Sequence, residues 1–180
     1  MNMKYRSFKV AIGGIIASLS IVLMLLTGLI PVLTYAVPAI CGALLMMLVI
    51  ELSPRFALSV YAAVAILSML VVADKEAAVI YTVFFGYYPV LKGFFEKKLN
   101  KVLSWIMKYI VFNLTMIASY FIVSRVFGIT FSDMDTFGEF AMPILLAAGN
   151  VVFALYDVAL TRLVTVYLFR WQKHIKKLFK

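Results

Sequence analysis

The cations of this chain are not spread evenly along it. Of its 17 lysines and arginines, three precede the first apolar stretch, Arg55 stands alone, five lie between Lys92 and Lys108, and six lie from Arg162 onward. All of these fall in alternate gaps between apolar stretches. The other gaps hold Lys75 and Arg125 together with five of the eight acids: Asp74, Glu76, Asp133, Asp135 and Glu139. Basic loops are retained on the cytoplasmic side when a polytopic protein inserts. The alternation therefore predicts an all-α membrane protein with both termini in the cytoplasm.

Composition leads to the same class by another route. With 65% hydrophobic residues and a mean hydropathy of +1.05, the chain has too little polar surface to cover a soluble particle. The net charge of +9 is distributed around apolar spans and not on one solvated face. Membrane lipid with anionic headgroups is thus the expected partner, and nucleic acid is not. Cys41 is the single cysteine and has no partner for an internal disulfide. The first apolar stretch is longer than the ~7–15 residues of a signal-peptide core, so it is expected to remain as an anchor.

A helix needs about 20 apolar residues to cross the hydrocarbon core. Six such spans fit one domain over residues 1–180, at about 8–30, 33–52, 56–73, 77–93, 102–127 and 140–169. Pro31 stops the first span, and Pro54 lies in the break before the third, where Glu51 is expected to pair with Arg55. The fourth span is dense in aromatics, carries Pro89, and is expected to be the least regular. A basic connection from Lys92 to Lys101 follows it. The sixth span is expected to tilt or to emerge as a basic tail, in which Trp171, Ile175 and Phe179 alternate with cations.

The reactive groups of familiar membrane enzymes are missing from the sequence. His174 is the only histidine and lies in the basic tail, and there is no Gly-rich loop ending in GK[ST]. Asp133 and Asp135 form a bare DxD in an acidic loop. Catalytic residues, a metal and a cofactor are therefore not expected, and the chain reads as a non-enzyme.

Polar residues at membrane depth are functional candidates by default. Asn113 and Asn150 both lie near the middle of their spans, where they form either an interhelical amide pair or the floor of a ligand pocket. Asp157 and Lys108 share a depth nearer the cytoplasm and are expected to form a structural ion pair. Glu76, Tyr81 and Tyr120 gather at the outer ends of spans four and five, as belt anchors or as the wall of a small-ligand site. Span one carries two staggered small pairs, Gly13 with Ala17 and Gly14 with Ser18. Such spacing permits close helix approach, either inside the protein or with a partner.

Six spans in a short chain, termini inside, a small-residue face on the first helix and a basic cytoplasmic side resemble the substrate-binding S components of energy-coupling factor (ECF) transporters. Gly13-Gly-Ile-Ile-Ala17 approximates the small-residue pattern by which those proteins dock. The stretches Asp74–Tyr81 and Phe84–Pro89 are also similar to uncharacterised membrane proteins of Firmicutes. The S-component resemblance implies a subunit of the plasma membrane that captures a vitamin-like or other small molecule from outside, between spans four, five and six and the outer loops. It also implies a T component and ATPase subunits as partners, with docking through Gly13, Ala17, Gly14 and Ser18. Ligand residues do not transfer from that family. Glu76, Tyr81, Tyr120, Asn113 and Asn150 are chosen on depth and chemistry. A non-catalytic scaffold of a cell-envelope complex, similar to the rod-shape protein D family, is the alternative, and a lipid-active enzyme or flippase is a third.

Overall fold

The computed structural model describes residues 3–30, 33–128 and 141–171, and all of its regular elements are helices. They are α1 (Met3–Thr27), α2 (Leu33–Glu51), α3 (Pro54–Val71), α4 (Lys75–Ile80), a π-helical turn (Tyr81–Phe85), α5 (Tyr88–Lys98), α6 (Lys101–Val126), α7 (Ala141–Val166) and a second π-helical turn (Tyr167–Trp171). Among the described residues six segments are long and apolar enough to cross a membrane, with α4, the first π turn and α5 together forming the fourth. The loop carrying Asp133, Asp135 and Glu139 and the tail beyond Trp171 lie outside the described residues. So does Pro31.

The chain is a multi-pass membrane protein, and its outward faces fit that solvent. Ile15, Leu70, Leu114, Val151 and Leu155 are each more than 60% exposed, a surface suited to lipid. Hydroxyls in the spans return to their own helices. Ser59, Thr82, Thr115, Ser119 and Thr161 each donate to the carbonyl four residues earlier, at 2.8–3.2 Å.

The turns follow from local chemistry. Ser53 caps α3 by accepting from the Phe56 amide at 3.3 Å, with Pro54 in the first turn, where its missing N–H is no loss. Asp74 caps α4 through the Ala77 amide at 3.0 Å and accepts from the Thr34 hydroxyl at 2.8 Å. Lys75 donates to the Met69 and Val72 carbonyls at the end of α3, at 3.0 and 2.8 Å. Glu51 accepts from the Tyr167 hydroxyl at 3.1 Å. No ion pair joins it to Arg55 among the described residues, which corrects the pairing expected from their spacing.

The fourth segment is the hub. Of its most apolar window 56% is buried, against 17% for the sixth, and it is packed between α2, α3 and α6. On one side, α1 to α4 enclose an aliphatic core that includes Met24, Val37, Cys41, Leu45 and Val64. On the other, Phe84, Tyr88, Phe112, Phe153 and Leu160 form an aromatic core with α6 and α7.

Two backbone irregularities make that central position possible. In the π turn the Gly86 amide bonds the Tyr81 carbonyl at 2.8 Å, so the Thr82 carbonyl loses its usual helical donor. The Tyr61 hydroxyl of α3 supplies a replacement at 2.6 Å. Pro89 has no N–H to give the Phe85 carbonyl, and α2 passes close to that oxygen at Gly42. A Cβ on Gly42 would stand 2.5 Å from the Phe85 oxygen and 2.8 Å from the Tyr156 hydroxyl. One on Gly86 would overlap the Tyr61 ring.

Gly42→Ala is therefore expected to destabilise the protein by about 1–3 kcal/mol through overpacking. Gly14→Ala meets nothing within 4 Å and is expected to be neutral or slightly stabilising. Thermal unfolding of the two variants in one detergent checks the contrast.

Candidate functional site

Three helical stripes converge at the end of the bundle that carries Arg55, Lys97, Lys98 and Lys101, here called the basic end. Along α5, Tyr88, Lys92 and Glu96 recur every four residues, so they share one face. Ser104, Lys108 and Phe112 do the same on α6, and Asn150, Phe153 and Asp157 follow a three-and-four spacing on α7. Packing of the three helices closes the charged members into a ring.

Asp157 stands at its centre. Its Oδ1 accepts from the Tyr88 hydroxyl at 2.5 Å and from Lys92 Nζ at 2.7 Å, and its Oδ2 accepts from Lys108 Nζ at 3.0 Å. Both ammonium groups also reach Glu96 Oε1, each at 2.6 Å. The Lys92, Lys108 and Asp157 side chains are 1–3% exposed, whereas that of Glu96 is 42% exposed and forms the outer edge. Two ammonium groups and two carboxylates balance within the ring, with Glu96 at its exposed edge. Each ammonium uses two of its three donors within the ring.

An aromatic layer separates the ring from the middle of the bundle. Phe112 and Phe153 stack at 4.7 Å between centroids, with their planes 12° apart. Phe84 and Tyr88 complete the layer, with Tyr88 turning its hydroxyl down to Asp157. Beyond it, Asn113 and Asn150 exchange hydrogen bonds in both directions, at 2.9 and 3.0 Å, and each also donates to a carbonyl of its own helix.

On the opposite side the ring faces a cleft of about 550 Å³, whose lining includes Glu96, Lys101, Ser104, Trp105, Lys108 and Arg162. Ser104 is buried, and its hydroxyl has no hydrogen-bond partner. Trp105 lies under Lys108, with Nζ 5.2 Å from the ring centroid. A second, apolar cavity of about 260 Å³ lies between α1, α2 and Tyr167.

The candidates read from sequence are distributed as follows. Asn113 meets Asn150 in a pair that satisfies both amides, and Asp157 meets Lys108. Tyr81 is fully buried in the aliphatic core, its ring 6.1 Å from that of Tyr61 and its hydroxyl without a partner. Glu76 accepts from the Tyr35 hydroxyl. Tyr120 is half-buried on α6 with its ring edge to Phe121. On α1 the two small pairs part company. A Cβ on Gly13 would stand 2.8 Å from the Phe56 ring, and Ala17 packs on the core. The face of Gly13 and Ala17 is thus filled by α3 from within the chain, and only Gly14 and Ser18 are exposed.

Lys92, Glu96 and Tyr88 are the site residues that sequence reasoning missed. Ending the fourth span near Gly93 placed Lys92 and Glu96 in a loop. The helix instead continues to Lys98, where Lys97 and Lys98 favour its C-terminal end. The four-residue spacing of Tyr88, Lys92 and Glu96 was the available signal.

Comparison with known protein families, curated proteins and solved structures finds no match for this chain.

Asp157→Ala leaves two buried ammonium groups with one half-exposed carboxylate between them, and is expected to destabilise the protein by about 3–5 kcal/mol. Glu96→Gln at the exposed edge is expected to cost about 1 kcal/mol or less. Asn113→Leu removes an interhelical amide pair worth about 0.6–2 kcal/mol. The order of the three thermal midpoints in detergent tests the assignment of Asp157 as the hub.

Proposed function

We propose that this protein is a non-catalytic, substrate-binding subunit of a plasma-membrane transporter, and that its ligand site is the cleft at the basic end. The observation that carries the reading is the buried ring of Lys92, Asp157, Lys108 and Glu96 at the foot of a cleft large enough for a small molecule. Charged side chains at membrane depth mark ligand or ion pathways. Here they are joined by a buried hydroxyl left without a partner. The resemblance to S components of ECF transporters supports the transport part of the reading. In such an assembly the exposed Gly14 and Ser18 are the surface left on α1 for a T component, because Gly13 and Ala17 are engaged with α3. ATPase subunits would supply the energy.

The ligand proposal moves away from the outer-half residues. Asn113 and Asn150 satisfy each other, and Tyr81 is enclosed by core packing. Glu76 and Tyr120 remain secondary candidates for contact with a ligand entering from the opposite end.

Native mass spectrometry after extraction in a mild detergent tests the reading. A stoichiometric adduct is expected on the parent protein and is expected to be lost in Ser104→Leu, which fills the cleft from a buried wall position. Absence of any adduct, or one that survives in a folded Ser104→Leu protein, would show that the cleft is not a binding site.

A further inference from the structure

We propose that the cleft recognises an anionic phosphate group, an inference that rests on the reading of this cleft as the ligand site and names the class of ligand it takes. The lining is not electrically neutral. Lys92 and Lys108 compensate Glu96 and Asp157 inside the ring, so Lys101 and Arg162 are left as two further cations on the cleft wall. Neither forms an ion pair among the described residues. Lys108, held in the ring and over Trp105, adds its charge to the same wall.

The backbone contributes in the same sense. The first two turns of α6, from Lys101 to Lys108, form one side of the cleft, and α6 is 26 residues long. Its N-cap residue, Asn100, makes no side-chain capping bond, so the amides of the first turn have no partner supplied by that residue. Amides without a side-chain cap and the positive end of the helix dipole together favour an anion.

Ser104 is the independent sign that a ligand belongs there. It is 3% exposed, lies on the wall between Lys101 and Lys108, and carries a hydroxyl with no hydrogen-bond partner. The span hydroxyls of Thr115, Ser119 and Thr161 bond carbonyls four residues back, and that of Ser104 does not. A phosphate oxygen in the cleft would give that hydroxyl an acceptor, with Lys101 and Arg162 closing on the remaining oxygens. Arg162 suits two oxygens of one phosphate by its planar fork. Cationic wall, unpartnered hydroxyl and helix N-terminus together favour an anion over an uncharged polar ligand such as a sugar, and a phosphate offers enough acceptor oxygens for Ser104, Lys101 and Arg162 at once.

The phosphate could belong to a membrane lipid or to a soluble compound. The exposed apolar side chain of Val158 lines the cleft, and Val102 and Leu103 are exposed on the first turn of α6, as a lipid headgroup site would require. Trp105 supplies a reporter, because the chain has two tryptophans and Trp171→Phe leaves Trp105 as the sole emitter in the lining.

In that background, short-chain phosphatidic acid, inorganic phosphate and short-chain diacylglycerol are titrated in detergent. A saturable change in emission is expected with phosphatidic acid and not with diacylglycerol. If inorganic phosphate gives the same change, the ligand is a soluble phosphate compound; if only phosphatidic acid does, it is a lipid headgroup. Either result supports phosphate recognition. Lys101→Gln with Arg162→Gln, two exposed positions, is expected to weaken binding by about tenfold or more. Ser104→Ala is expected to weaken it several-fold without lowering the thermal midpoint, an effect that a purely structural serine would not have. No saturable response to either phosphate probe, or unchanged affinity in the Lys101/Arg162 double variant, overturns the proposal. A phosphorus-free adduct in the mass spectrum then leaves the binding reading standing, whereas no adduct removes both.

Discussion

A carboxylate on the sixth crossing, 3% exposed, imposes the strongest condition on this structure. Taking such a group out of water carries a penalty of several kcal/mol, which only close, well-directed donors can offset. Asp157 has three, from Tyr88, Lys92 and Lys108, on two other helices. The lysines bring the same penalty with them, and Glu96 meets them both. The four charges are thus mutually necessary, and they fix the angular setting of α5, α6 and α7 about their common axis more narrowly than apolar packing does. In lipid, where helices gain little from hydrophobic expulsion, such a directional tie is a principal determinant of which faces meet.

The irregular fourth crossing serves that tie. Tyr88, Lys92 and Glu96 must face α6 and α7 while Tyr81 and its neighbours face α2 and α3. A π turn between Tyr81 and Phe85 rotates one half of the crossing relative to the other. Its unpaired carbonyl is satisfied by Tyr61, and the carbonyl opposite Pro89 is accommodated by a glycine on α2. Each deviation is matched by one residue on a neighbouring helix. The aliphatic and aromatic cores then fall on either side of this one segment.

Polarity is layered along α5 to α7. A cationic cleft gives way to a neutral ion ring, then to a sealing layer of Phe84, Phe112 and Phe153, then to an amide pair whose members satisfy each other. The reactive capacity of this column is concentrated at the basic end, where Lys101, Arg162 and the Ser104 hydroxyl are uncommitted. The middle of the bundle is closed by aromatic packing.

Much of the architecture was legible in the residues themselves. Apolar run length and the distribution of cations determined that the chain is helical and crosses six times, because neither depends on which helix packs on which. The depths of Asn113, Asn150, Asp157 and Lys108 followed from counting along single helices. What the sequence could not determine is the direction each uniformly apolar helix faces, since its hydrophobic pattern has no polar side to mark the outside. Only the tertiary structure turned Gly13 toward Phe56 and left Gly14 exposed, added Lys92 and Glu96 to the Asp157 pair by extending α5 past Gly93, and opened a cleft at the basic end of the bundle. Those outcomes rest on rotation and close approach between helices, which are properties of the packed bundle and of no single segment.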